Sequence, residues 1–177
     1  EWNTFYKGLA IKLRYPGLHA YEFVRYVPHE KKTAFINAVR NDTSLNLQGS
    51  PDFTIWPEGD REFYFVVDYV EPFTGNEKAF GFDTAFEEMR LKAIERARDS
   101  GKAMGTSRIK RVQGMEKQAG FLIYLPVYHH GMQQETVEER KQAFIGFTTG
   151  VFIVGDLLKG VVEESHQKLI DFAVYDT

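Results

Sequence analysis

Two apolar runs, Phe121–Val127 and Val151–Val154, constrain the fold of this chain most. Neither approaches the roughly 20 residues an apolar helix needs to cross a bilayer. Both are rich in Phe, Ile and Val, which suit a pleated, buried strand. Each extends outward, to strands over 119–128 and 144–154. The first is apolar on both faces, the pattern expected of a covered central strand. Ala20–Val27, Phe53–Ile55, Glu62–Val70, Met104–Val112 and Leu169–Tyr175 read as further extended segments, with Pro57-Glu58-Gly59-Asp60 as a turn.

Helices fall in the connections. Trp2, Phe5, Leu9 and Leu13 form one narrow apolar stripe that Pro16-Gly17 stops. It is either the end of a longer helix or a helix packed on the domain. Pro28 suits the first turn of a helix over 28–41, with Phe35, Ala38 and Val39 inward. Asn41-Asp42 opens a polar loop that runs through Gly49-Ser50-Pro51. Thr84 and Glu87 have capping-box spacing, predicting a helix from there to about Ser100. Phe86, Met89, Ala93, Ile94 and Ala97 would be its buried face, and Gly101 its left-handed C-terminal cap. Thr136 and Glu139 cap a short helix over 137–142, and Asp156 caps another. Without βαβ alternation, these elements give an α+β fold around a mostly antiparallel sheet.

At 177 residues the chain is one domain, and 43% apolar content with 15 Phe and 9 Tyr can fill a thick core or line a pocket with rings. A net charge of −3 with both signs dispersed gives no basic field for phosphate backbones, so nucleic acid is not an expected partner. With no cysteine, disulfides, thiol catalysis and Cys-ligated metals are excluded. There is no signal peptide, and the start at Glu1 inside a helical pattern reads as a piece of a longer protein.

Motifs that could carry chemistry have simpler readings. Gly101-Lys102 lacks the Gly five residues upstream and the Ser or Thr directly after that a phosphate loop requires; Arg96 and Ala103 stand there. His129 and His130 are adjacent on a strand end and point to opposite sides, so they do not share a metal. Glu87-Glu88 and Glu138-Glu139 sit at helix starts, where capping and the helix dipole explain them. No catalytic residues, metal ligands or cofactor are expected. Asp83 is different: Gly81-Phe82 precede it and a helix follows, so it is either an N-terminal cap or a functional acid.

An ordered set of segments resembles the CHASE domain, the extracytoplasmic sensor module of membrane-bound histidine kinases, diguanylate cyclases and adenylate cyclases. The set is Pro16-Gly17-Leu18, Phe53-x-Ile55, Tyr69-Val70-Glu71-Pro72, Gly75-Asn76-Glu77 and Gly81-Phe82-Asp83. Gly101-Lys102, Thr106, Gln118–Tyr128, Val137-Glu138-Glu139-Arg140 and Gly146–Leu158 follow in order. The resemblance implies a PAS-like curved antiparallel sheet with helices in the connections. Residues 1–15 would be the stub of a stalk helix, 16–168 the membrane-distal ligand-sensing lobe, and 169–177 the first strand of a truncated membrane-proximal lobe. It also implies a periplasmic or other extracytoplasmic place, an anchor in the cell membrane by helices outside this chain, and homodimerisation through the stalk. The parent would be a histidine kinase or a diguanylate cyclase or phosphodiesterase, and this domain itself no enzyme.

In the plant cytokinin receptors of that family, positions matching Asp83, Thr106, Val112 and Tyr124 belong to the pocket. Those receptors have Thr where this chain has Tyr124, and the bulk of Tyr argues against a cytokinin. The expected ligand is another small amine- or amide-bearing molecule, with Asp83 as polar anchor. Phe65, Val112, Leu122, Tyr124 and Phe147 are the candidate walls. Two other readings stand beside this one. One is a constitutive dimerisation module using the N-terminal aromatic stripe; the other is a soluble enzyme of unknown type.

Overall fold

A computed structural model describes residue 15 and residues 17–44, 47–109 and 119–158. Five strands form its sheet: β1 (Leu18–Pro28), β2 (Phe63–Glu71), β3 (Met104–Gly105), β4 (Gly120–Tyr128) and β5 (Phe144–Ile153). Their order is β2-β1-β5-β4-β3, and every neighbouring pair is antiparallel. This is the PAS-like α+β architecture. Helices α1 (Lys32–Arg40), α2 (Glu88–Ser100) and α3 (Val137–Ala143) occupy the connections.

Alternation along the strands decides what is inside. On β5, Phe144, Phe147, Thr149, Val151 and Ile153 are buried. On β4 the buried residues are Gly120, Leu122 and Tyr124, while Leu125 is 47% exposed. β4 is therefore covered on one face rather than both. The main core joins Val24, Phe65, Val67, Leu122, Tyr124 and Phe147 to Ala93, Ile94 and Ala97 of α2. A smaller cluster of Val27, Phe53, Ile55, Tyr64 and Val66 lies under α1. Phe35, Ile36 and Val39 of α1 pack against it; Ala38, expected inward, is exposed.

The free edge of β2 is closed by the chain itself. Gly81 N–H donates to the Val67 carbonyl at 2.9 Å, and Val67 N–H to the Phe82 carbonyl at 3.0 Å. Trp56 then pairs with the far side of this segment, Asp83 N–H donating to the Trp56 carbonyl at 2.8 Å. So 53–55 is not a strand as expected; Phe53 and Ile55 are anchored by burial, and pairing is limited to Trp56. Gly81 has φ 81°, and a Cβ there would collide with the Thr54 carbonyl oxygen, so this turn requires glycine.

Two expectations around α2 change. No capping box forms at Thr84–Glu87, and the α-helix starts at Glu88. Asp83 caps a 3₁₀ turn over Thr84–Phe86 by accepting from Ala85 N–H, while the Thr84 hydroxyl donates to the Phe65 carbonyl at 3.2 Å. The buried face keeps Ala93, Ile94 and Ala97 but loses its expected first turn. Phe86 and Met89 are 56% and 48% exposed, and the buried stripe is Arg90, Ala93, Ile94 and Ala97. Gly101 caps α2 in the left-handed conformation, φ 71°, as expected. The Thr136–Glu139 capping box on α3 is also present. Residues 154–158 are helical, with Asp156 inside that turn rather than before it. The N-terminal stripe, Val112, the Gly114–Lys117 turn and the strand expected over Leu169–Tyr175 lie outside the described residues. Among the described residues, no helix is long and apolar enough to cross a membrane.

Candidate ligand site

Phe65, Leu122, Tyr124 and Phe147 come together in one buried core cluster. Phe147 meets Tyr124 at a centroid distance of 5.4 Å and Phe65 at 5.8 Å. Thr106 acts beside them rather than among them. Its N–H donates to the Leu122 carbonyl at 2.9 Å, and its hydroxyl accepts from Leu122 N–H at 3.0 Å. Thr106 thus clips the chain after β3 onto β4 and fixes where Leu122 and Tyr124 point.

Asp83 is fully buried. Its Oδ1 accepts from Phe65 N–H at 2.9 Å and Ala85 N–H at 3.2 Å. Oδ2 has no hydrogen-bond partner, although Arg61 Nη1 stands 3.4 Å away as an ion pair. The acid is therefore both cap and candidate ligand group, one oxygen committed to backbone donors and the other facing Arg61.

Burial holds the Asp83 carboxyl above its ordinary range, against the lowering effect of its two backbone donors and of Arg61 and Lys32. A carboxyl raised in the folded state binds its proton more tightly there than in the unfolded chain. Folding stability from this group is greatest below the unfolded pKa and falls as pH climbs through the folded one. Melting curves from pH 3 to pH 7 should therefore show wild type losing ground to Asp83→Asn as pH rises. Parallel pH profiles would count against this.

A second polar set lies on the inner face of the sheet, and sequence reasoning found only part of it. Glu22 pairs across β1–β5 with Thr149, and Thr149 across β5–β4 with Tyr124. Directly paired residues share a face, with Cβ atoms about 5 Å apart. All three are buried, at 6%, 0% and 0% exposure. The Tyr124 hydroxyl and Thr149 Oγ1 have no hydrogen-bond partner. Burial raises the Tyr124 phenol strongly, while Arg90, Glu22, Thr84 and Glu87 also act on it. Thr84 is close to that phenol, but its own hydroxyl donates to the Phe65 carbonyl.

Arg90 is 5% exposed on the buried stripe of α2, its Nε donating to Glu87 at 2.7 Å and its guanidinium 5.1 Å from the Phe82 ring centroid. Its position, three and four residues before Ala93 and Ile94, was the available sequence signal. Among the described residues, no group of three or more His, Cys, Asp or Glu side chains could hold a metal.

A family model for the CHASE domain matches residues 1–177. "Hybrid signal transduction histidine kinase A" of Dictyostelium discoideum is 22% identical over 138 residues, covering 74% of this chain and 6% of that protein. The chain thus spans a small part of that relative's length. With the PAS-like sheet in place and the family model matched from end to end, this chain belongs to the CHASE domain family, sensor domains of signalling receptors such as histidine kinases.

Proposed function

We propose that the domain binds a small molecule outside the membrane and passes its occupancy to a cytoplasmic signalling enzyme. The observation that carries this reading is a pair of buried hydroxyls without hydrogen-bond partners, Tyr124 Oη and Thr149 Oγ1; Asp83 Oδ2, ion-paired with Arg61, also lacks a hydrogen bond. A buried polar group left unsatisfied costs about 1–3 kcal/mol. A core that needed only to be stable would have no use for such atoms, whereas a ligand with complementary donors and acceptors makes each of them favourable. In this reading the parent is anchored in the cell membrane by helices outside the chain, pairs as a homodimer through a stalk, and carries a kinase or cyclic-dinucleotide output. The similarity to a hybrid histidine kinase supports the kinase form. Binding acts by differential affinity for two states of the domain.

Thermal-shift screening of the 177-residue chain against a library of small metabolites tests the reading. A true ligand at 100 times its Kd stabilises by about 2.7 kcal/mol. For a domain of this size that raises Tm by roughly 5–11 °C. Asp83→Asn keeps an oxygen for Phe65 and Ala85, so its own melting should change little while its response to ligand shrinks. An equal response in both proteins removes Asp83 from the site. No response to any compound, with no small molecule seen by native mass spectrometry, removes the sensing role.

A further inference from the structure

We propose that the row Glu22–Thr149–Tyr124, faced by Arg90, is a recognition site for a small zwitterion of the α-amino-acid type. The proposal rests on the sensing role above and assigns its chemistry to side chains other than Asp83. The row is continuous, because Glu22, Thr149 and Tyr124 are consecutive partners across three neighbouring strands on one face. Each is at least nine-tenths buried, so none of the three owes its character to surface solvation.

Its chemistry is divided by sign. Glu22 offers acceptors only, and a carboxylate has about four such sites, so an existing contact leaves room for a ligand N–H. Arg90 offers donors only; its Nε donates to Glu87, and the same guanidinium carries two further nitrogens able to donate to an acceptor. Guanidinium is the side chain best matched to a carboxylate in two-point contact. Next to Glu22 in the row stand the Thr149 and Tyr124 hydroxyls, each able to donate and to accept and each without a hydrogen-bond partner, with the Arg90 charge acting on the Tyr124 phenol.

A simple amine would meet Glu22 but leave Arg90 unanswered. A simple carboxylic acid would do the reverse and would face Glu22 repulsion. An α-amino acid is the smallest ligand with an ammonium for one end, a carboxylate for the other, and a side chain to lie on Phe147 and Leu122.

The 177-residue chain is titrated, by calorimetry and thermal shift, with the twenty common α-amino acids. Their decarboxylated amines and deaminated acids serve as matched probes. The expected result is that one or a few amino acids bind, and that removing either charged group weakens binding at least tenfold. Thr149→Val and Tyr124→Phe each remove one unpartnered hydroxyl, so the ligand-free protein should melt as high as wild type or higher while affinity falls about tenfold. Glu22→Gln should weaken binding by about tenfold to a hundredfold; if it fails to fold, the two hydroxyl variants still decide the matter.

If amino acids bind but Thr149→Val and Tyr124→Phe bind them as wild type does, the site is elsewhere and the proposal is overturned. If amino acids give no response while another class of metabolite does, the zwitterion assignment falls and the sensing role stands. Silence toward every compound, with no co-purified molecule, ends both.

Discussion

Gly146→Ala is expected to be among the most destabilising single methyls added to this domain. Gly146 lies in β5, paired with Arg25 of β1 on one side and Val127 of β4 on the other. A Cβ at this position would overlap the Val24 carbonyl oxygen and approach Arg25 Cα to 3.1 Å. Both obstacles are backbone atoms of a neighbouring strand, so no side-chain rotation relieves the clash. The β1–β5 pair must separate locally, and the Val24 and Phe147 packing beside it goes too. The expected loss is about 4 kcal/mol, in the range of severe overpacking. Scaled for a domain of this size, Tm falls by roughly 8–16 °C. Gly155→Ala is the control, because nothing lies within 4 Å of its added Cβ. Equal melting temperatures for the two variants would show that the strands yield more easily than their pairing implies.

Asp83→Ala carries the second large effect, and it separates the acid's structural role from any role in binding. The substitution leaves Phe65 N–H and Ala85 N–H without the oxygen that satisfies both. It also takes from Arg61 the carboxylate it faces. Two stranded donors, at least one deep in the core, should cost about 3 kcal/mol. That corresponds to a Tm lower by roughly 6–12 °C. Asp83→Asn retains one oxygen in the same place and should recover most of this loss. If Ala and Asn melt alike, the backbone bonds are not what the carboxylate contributes.

Much of the fold was legible because its signals are local. Strand alternation over 144–153, the Thr136–Glu139 cap and Gly101 all depend on residues within a few positions of one another. Each was placed correctly. The start of α2 was misread for a nonlocal reason. Thr84 had a better partner in the Phe65 carbonyl, nineteen residues away, than in its own helix. With Thr84 drawn off, Asp83 became the cap, one of its two expected roles, and accepts from two backbone donors. That Phe65, Leu122, Tyr124 and Phe147 are buried together was readable from alternation along the strands. Glu22 and Thr149 were not, because what unites them is pairing between strands some 127 positions apart. Arg90 shares the helix face of Ala93 and Ile94, but a charged side chain carries no apolar signal for burial.

The strip of chain folded against β2 has a bearing on how the protein survives before and after folding. An open strand border invites other chains to dock and grow into aggregates. Here Gly81–Asp83 already occupies that border along Val67 and Phe65, so an intruding strand must first evict it. Loosening this strip, as Asp83→Ala does, should make half-unfolded molecules stick to one another. Light scattering during a slow melt would reveal that clumping ahead of the main transition.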